Sequence, residues 1–158
     1  MGTRYRGTPD EIRALDAFIK LQRAADALGS RVHAHLAADD LTVSQFGVLE
    51  ALLHLGPMCQ RDIGLKLLRS GGNITLVVDN LEKRGLARRE RSVENRKFVT
   101  VHLTDEGRRL VRRVFPRHVQ AVVREMEALS PREQETFARL AKAAGIGRQR
   151  PVRPRREG

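Results

Sequence analysis

Few residues of this chain have side chains that could take part in chemistry, and the first is a lone thiol. Cys59 is the single cysteine among 158 residues, so it can form neither an intrachain disulfide nor a cysteine-rich zinc site. It lies just before a predicted short helix, and a thiol at a helix N-terminus can oxidise readily. Cys59 is therefore a candidate redox sensor, and a small half-buried residue at the helix cap is the alternative.

Two histidines and two aspartates form the next candidate, a set that suggests a metal site. His33 and His35 are followed by Asp39 and Asp40. On a helix, side chains two residues apart point in different directions, whereas those three or four apart can converge on one ion. We therefore expect both histidines on a helix surface, and we predict neither a metal ion nor a cofactor.

The remaining patterns do not support catalysis. The sequence contains no Gly-x-Ser-x-Gly nucleophile elbow, no glycine-rich phosphate loop and no recognisable motif that pairs one of its five histidines with an acid. We therefore predict that the protein is not an enzyme.

The charge of the chain predicts a polyanionic partner instead. Lys and Arg outnumber Asp and Glu by 30 to 19, a formal net charge of +11 that attracts phosphate and releases its counterions. Residues 146–158 form a basic tail with five arginines and too little apolar surface to order itself. Nucleic acid is favoured over an anionic membrane as that partner. No apolar run approaches the roughly 18 residues that a membrane span needs. We therefore expect a soluble, cytoplasmic protein without a membrane partner.

A predicted helix over residues 73–84 carries the surface best suited to reading nucleic acid. Its apolar residues lie on one side, and at about 100° per residue the opposite side is small and polar. The glycines at its start let the N-terminal amides approach phosphate. An ordinary solvated surface helix is the alternative. The candidate DNA contacts on and before this helix are Ser70, Gly72, Asn73, Thr75, Leu76, Asn80 and Lys83.

Long apolar stripes at both ends of the chain predict helices that need a partner. Apolar residues at steps of three and four predict a first helix over residues 8–38, opened by a capping box of Thr8 and Glu11. Two closing helices follow over residues 104–145, with a kink or a broken turn at Pro116. A monomer would expose these stripes, so we predict a homodimer.

The segment between these helices, residues 41–103, predicts a winged helix-turn-helix. Helices begin at Thr42 and near Gln60, and alternation between residues 86 and 103 predicts a two-stranded β-hairpin with a basic tip. The fold class is mainly α with a small β-hairpin wing, in a single domain over residues 1–158. A merely soluble hairpin is one interpretation of the wing; the other is that it contacts phosphate or the minor groove through Arg91, Arg96 and Lys97.

Several spaced motifs in this segment resemble the multiple-antibiotic-resistance regulator (MarR) family. They are DNLEKRG at residues 79–85, GLARR at residues 85–89, ENRK at residues 94–97 and VHLTDEG at residues 101–107. The resemblance implies a homodimeric repressor that dimerises through its first and last helices and releases DNA when a small molecule or an oxidant acts on it. Two positions depart from the family pattern. Asn95 replaces the usual wing Asp, and Leu76 replaces an Arg, which leaves apolar contact with a thymine methyl group.

The resemblance also implies an effector pocket between the dimer helices and the DNA-binding lobe. Phe18, His33 and His54 are candidate liners of that pocket. The start of the chain and GNIT at residues 72–75 resemble the branch that responds to phenols, catechols and quinones.

We therefore predict a homodimeric repressor of a pseudo-palindromic double-stranded DNA operator. Its two recognition helices enter successive major grooves about 10 bp apart. A phenolic or quinone-like ligand or an oxidant releases it. A basic protein that coats nucleic acid without sequence preference is the alternative.

Overall fold

The computed structural model describes residues 4–67, 71–91 and 99–146, and only the backbone of residues 71, 72 and 146. Within these ranges the chain is mostly helical and carries one small sheet. The chain divides after Val122 into two compact units. In chain order the elements are α1 (Pro9–His33), a 3₁₀ helix (Ala34–Asp39), α2 (Val43–Leu55), β1 (Met58–Cys59), α3 (Gln60–Lys66), α4 (Gly71–Lys83), β2 (Ala87–Arg91), β3 (Val99–Leu103), α5 (Asp105–Met126) and α6 (Pro131–Ile146).

The mainly helical winged fold is confirmed, but the sheet has three strands rather than two. β3 lies between β2 and β1, and both pairings are antiparallel. Met58 pairs with Val101 and Cys59 with Thr100. The sequence missed β1 because two residues are too few to show the alternation that identifies a strand. These two pairs join β3 to the segment just before α3.

The first helix is shorter than its apolar stripe predicts. Its start is as expected, because the Thr8 hydroxyl accepts from the Glu11 amide and the Glu11 carboxylate accepts from the Thr8 amide, at 3.3 and 2.8 Å. The α-helix ends at His33 instead of near residue 38 and tightens into the 3₁₀ helix. Asp40, at φ 53°, then turns the chain.

Packing accounts for the early end of α1. Leu36 and Leu41 on either side of the turn are both buried in the core, which requires the chain to change direction between them. Arg84 stabilises the turn, because its guanidinium donates to the carbonyl oxygens of Asp39 and Asp40 at 3.2 and 2.6 Å. Both contacts are tertiary, so helical periodicity does not register them.

A close backbone contact joins the wing to α5. A Cβ atom added at Gly107 would lie 1.9 Å from the carbonyl oxygen of Leu86, so only glycine fits there. The Thr104 hydroxyl accepts from the Gly107 amide at 3.0 Å and donates to the Gly85 carbonyl oxygen at 2.6 Å. These contacts explain the Thr and Gly of the VHLTDEG segment in physical terms.

The core of the larger unit lies between α2, α4, α5 and the sheet. α5 continues through Pro116, so the broken turn suggested by the sequence does not form. Among the described residues, none of the helices combines the length and the apolar character that crossing a bilayer requires. The largest fully buried side chains are Phe46, Leu36, Leu49, Ile63, Ile74, Leu81, Val48, Val78, Val101, Val111 and Val114.

Candidate nucleic-acid interface

Helix α4 has one fully buried face and one open face. Ile74, Val78 and Leu81 are completely buried in the core. On the open face Leu76 keeps 61% of its surface exposed. The predicted contacts Asn73, Thr75 and Lys83 are also exposed, and Asn80 is half-buried. Gly72 is described only by its backbone in α4, and Ser70 lies outside the described residues.

One arginine of the wing faces inward and holds the edge of α4. The Arg89 guanidinium contacts the carboxylates of Glu82 and Asp79, the latter at 2.7 Å. It also donates from Nε to Gln60 Oε1 at 2.7 Å and from Nη2 to the Thr75 carbonyl oxygen at 3.3 Å. In addition, the backbone amide of Arg89 donates to Glu82. A side chain engaged in this way is not available to DNA, so Arg89 is a structural link between α3, α4 and β2.

Three residues of β2 are exposed, the basic Arg88 and Arg91 and the acidic Glu90. Arg88 donates to Glu90 at 2.6 Å, and this hydrogen bond lowers the pKa of the Glu90 carboxyl group. Arg91, a predicted DNA contact, is exposed at the end of the strand. Arg96 and Lys97, predicted at the wing tip, lie outside the described residues.

A cleft of about 150 Å³ opens beside the junction of α1, α2 and α5. His33, one of the predicted effector liners, forms part of its wall. The other two candidates do not line it. Phe18 is 58% exposed on α1, and the His54 ring packs against Phe115 with a centroid distance of 4.7 Å. The residues that line the cleft are His33, Val43, Ser44, Phe46, Gly47, Glu50, Leu67 and His118.

Three histidines meet at this cleft, which the sequence did not anticipate. His33 stacks on His118 with ring centroids 5.6 Å apart, and His35 Nε2 lies 3.3 Å from His118 Nδ1. His33 and His35 were expected on a helix surface, but both are half-buried and both contact His118. The chain changes from α1 to the 3₁₀ helix between them. His118 was missed because it follows more than 80 residues later in the chain. In the described part of the chain, no group of three or more His, Cys, Asp or Glu side chains is arranged to hold a metal ion.

Burial lowers the pKa of two of these three histidines. It lowers the pKa of His35, and the nearby Arg117 and His33 lower it further while Asp39 opposes them. Burial also lowers the pKa of His118, with His33 and His35 as additional causes. The Nδ1 atom of His35 is buried and has no hydrogen-bond partner among the residues that the structure describes. The surroundings of both rings therefore disfavour their protonated forms.

Cys59 occupies the cap position before α3. It is half-buried, and its side chain makes no capping hydrogen bond. Its backbone belongs to β1, where it pairs with Thr100. The structure thus places the thiol at the junction of the sheet and α3, as its position before a helix predicted.

Relatives with known classification identify this arrangement. Residues 41–99 match the sequence profile of the MarR family. The HTH-type transcriptional regulator MhqR of Bacillus subtilis (strain 168) is 32% identical over 134 residues, which cover 85% of this chain and 92% of that relative. This chain belongs to the MarR family. It is a DNA-binding transcriptional regulator and not an enzyme.

Solved structures of DNA-binding regulators show the same fold, among them a MarR-family member. Sco3205 of Streptomyces coelicolor, solved in complex with DNA, superposes with a TM-score of 0.80 at 23% identity and covers 94% of each chain. BpsR of Bordetella bronchiseptica superposes with a TM-score of 0.75 at 25% identity, over 82% of this chain and 98% of that one. In BpsR, DNA binding is regulated by 6-hydroxynicotinic acid. The winged helix-turn-helix of this MarR-family chain therefore has the fold of a regulator that has been solved with DNA.

Proposed function

We propose that the protein is a homodimeric repressor that reads a pseudo-palindromic operator with α4 and releases it when a small aromatic ligand binds. The observation that carries the proposal is the exposed Leu76 on a helix whose other face is fully buried. Leaving an apolar side chain in water is unfavourable, whereas a thymine methyl group in the major groove would cover it. The flanking Asn73 and Thr75 supply hydrogen-bonding groups on the same exposed surface.

Different chemical roles follow for the remaining contacts. The Asn73 amide can bond an adenine edge in two places, which gives base discrimination. Asn80 and Lys83 lie on α4 beside the exposed Leu76, and Arg91 ends β2. By their places in the sequence, Ser70 and Gly72 are predicted contacts at the start of α4, and Arg96 and Lys97 are predicted contacts of the wing tip. These side chains and backbone amides can contact phosphate or the narrow minor groove. Such contacts fix the position of the protein on the duplex but do not identify the base sequence.

Exposed apolar side chains support the homodimer. On α1 they include Ile12, Phe18 and Leu21, and on α6 they include Phe137 and Leu140. Stripes of this kind on long helices are typical of surfaces that a second copy covers. Sedimentation equilibrium of the full chain tests this assembly directly.

The cleft at His33 and His118 supports a small aromatic effector. Its volume of about 150 Å³ is close to that of cavities that hold one benzene-sized ring. Phe46 and Val43 offer apolar walls, and Ser44 and the neutral His118 offer partners for a hydroxyl group. Glu50 on the same wall disfavours a carboxylate ligand. A phenol, catechol or quinone therefore fits the lining better than an aromatic acid.

The base-reading role is tested by truncating the Leu76 side chain and comparing the effect with the same truncation at another exposed leucine. Leu65 on α3 is 65% exposed, so Leu65→Ala removes the same surface from another helix. An operator is selected from a randomised duplex library with the unmodified protein, and affinities for it and for a scrambled duplex are compared at one salt concentration. Leu76→Ala should lower the ratio of the two affinities by about five-fold or more, and Leu65→Ala should leave it unchanged. A ratio near one for the unmodified protein would instead favour a nucleic-acid-coating protein.

The effector role is tested by filling the cleft. Catechol and benzoquinone are added to the protein–operator complex, and the released fraction and the melting temperature of the free protein are followed. Ligand binding to the folded state should raise the melting temperature. Ser44→Leu should abolish both responses, whereas Phe18→Leu, outside the cleft, should retain them. Release that persists in Ser44→Leu would place the effector elsewhere.

A further inference from the structure

We propose that Gln60, oriented by Arg89, is a positioning residue that fixes the Thr75 hydroxyl for base recognition. Gln60 is the first residue of α3 and lies 15 positions before Thr75 in the chain. Its side-chain amide nitrogen donates to Thr75 Oγ1 at 3.1 Å. The inference rests on the proposed role of α4 in reading bases and adds a residue outside that helix to it.

The chemistry of arginine dictates which way the Gln60 amide points. A guanidinium can only donate hydrogen bonds, so Arg89 Nε must face the amide oxygen of Gln60, as it does at 2.7 Å. The NH₂ group is thereby left to face Thr75, whose oxygen accepts from it. A glutamine without this neighbour could present either end to Thr75.

Arg89 is itself held firmly, so the orientation is transmitted from a rigid element. Two carboxylates from α4, those of Asp79 and Glu82, contact its guanidinium. The Arg89 side chain is also largely buried, with 22% of its surface exposed. Charge-assisted contacts of this type are short and directional. The network therefore ties α3, α4 and β2 together at a point next to Thr75.

The Thr75 hydroxyl has a specific need for such support. A threonine on a helix divides its population between two rotamers, and they place the hydroxyl and the methyl group at different points of the surface. A contact from another helix selects one of them. Because recognition depends on placement of groups to within about 0.5 Å, a preselected rotamer makes base reading sharper.

A double-mutant cycle on full-length protein tests this inference. Gln60→Met preserves side-chain length but removes both hydrogen bonds, Thr75→Val removes the hydroxyl at constant shape, and the double variant combines them. Gln120→Met, at an exposed glutamine of α5, is the matched control. The probes are the operator selected with the unmodified protein and its scrambled duplex, and melting temperature reports on folding.

The expected result is a loss of discrimination that depends on Thr75. Gln60→Met should lower the ratio of operator to scrambled affinity by about three- to ten-fold, because contacting residues show coupling of this size. It should leave scrambled-DNA affinity unchanged, and it should have no further effect in the Thr75→Val background. If Gln60→Met lowers the melting temperature markedly, Gln60→Asn is used instead, since its shorter amide cannot reach from Arg89 to Thr75.

Other outcomes overturn the inference and separate it from the proposed function. An unchanged ratio in Gln60→Met, or an equal loss with and without the Thr75 hydroxyl, shows that Gln60 does not act through Thr75. If Thr75→Val leaves the ratio unchanged while Leu76→Ala lowers it, the inference fails and α4 remains the reading helix. If neither change lowers the ratio, both proposals fail.

Discussion

The Nε2 atom of His35 faces the Nδ1 atom of His118 at 3.3 Å, across the contact between the 3₁₀ helix and α5. At this distance one nitrogen must carry a hydrogen and the other a lone pair. Two protonated rings would instead point N–H groups at each other, beside the positive charge of Arg117. Asp39 does not fully compensate, because its carboxylate is engaged by Arg113 and Arg117. The geometry thus favours the neutral rings.

This pair predicts that acid destabilises the protein. The folded state lowers the pKa of both His35 and His118 below the ordinary value of 6.5. The unfolded chain therefore takes up protons first, so the stabilisation is complete above about pH 6.5 and is lost as the pH falls towards the folded-state values. Urea unfolding at fixed protein concentration, from about pH 8 to about pH 5, measures this. His118→Gln should flatten the dependence and the control His54→Gln should retain it; equal slopes in all three proteins would contradict the assignment.

Gly107 should tolerate no side chain. Gly107→Ala places a Cβ atom 1.9 Å from the Leu86 carbonyl oxygen, so the wing and α5 must separate. We expect a loss of about 3 kcal/mol or more in the free energy of unfolding. Gly145→Ala is the control, because a Cβ atom there meets nothing within 4 Å and alanine favours a helix. Chemical denaturation of both variants checks the prediction, which similar stabilities would refute.

Cys59→Ser should stabilise α3 without impairing DNA binding. The thiol makes no capping hydrogen bond, whereas a serine hydroxyl at the same backbone angles can accept from an α3 amide. The expected gain is about 0.5–1 kcal/mol. Operator affinity and release by catechol, benzoquinone or peroxide are then measured in the same variant. Loss of release by peroxide or quinone alone would identify Cys59 as the sensor.

Arg96 should contribute to affinity but not to sequence preference. As a predicted wing-tip residue it can reach phosphate or the minor groove, where a unique base pattern is not displayed. Arg96→Ala should therefore weaken binding to operator and scrambled DNA by similar factors and reduce the salt slope by about one unit. Arg88→Ala is the comparison, because it also removes one positive charge, from an arginine that forms an ion pair with Glu90 on β2. Selective loss of operator binding in Arg96→Ala would transfer base reading to the wing.

Much of the helical structure follows from local sequence. The capping box at Thr8 forms as predicted, and a helix begins after Thr42 as predicted, with a capping box of its own. A capping box uses side chains only three residues apart, so it depends on local sequence. The two faces of α4 also follow from helical periodicity. Ile74, Val78 and Leu81 lie on the face that packs in the core, and Leu76 lies on the exposed face. The family resemblance adds that these elements belong to a DNA-binding regulator.

Only the tertiary structure decided which distant residues meet. The end of α1 at His33 depends on Leu36 and Leu41 packing in one core, and the histidine cluster depends on α5 bringing His118 beside them. In the same way, the sequence presents Arg89 as one more basic wing residue, whereas folding turns it inward onto Glu82, Asp79 and Gln60. Hydrophobic periodicity reports only which face of an element is buried. It carries no information about which element covers that face. The covering element decides which side chains come into contact, and burial against it shifts the pKa values of the titratable groups.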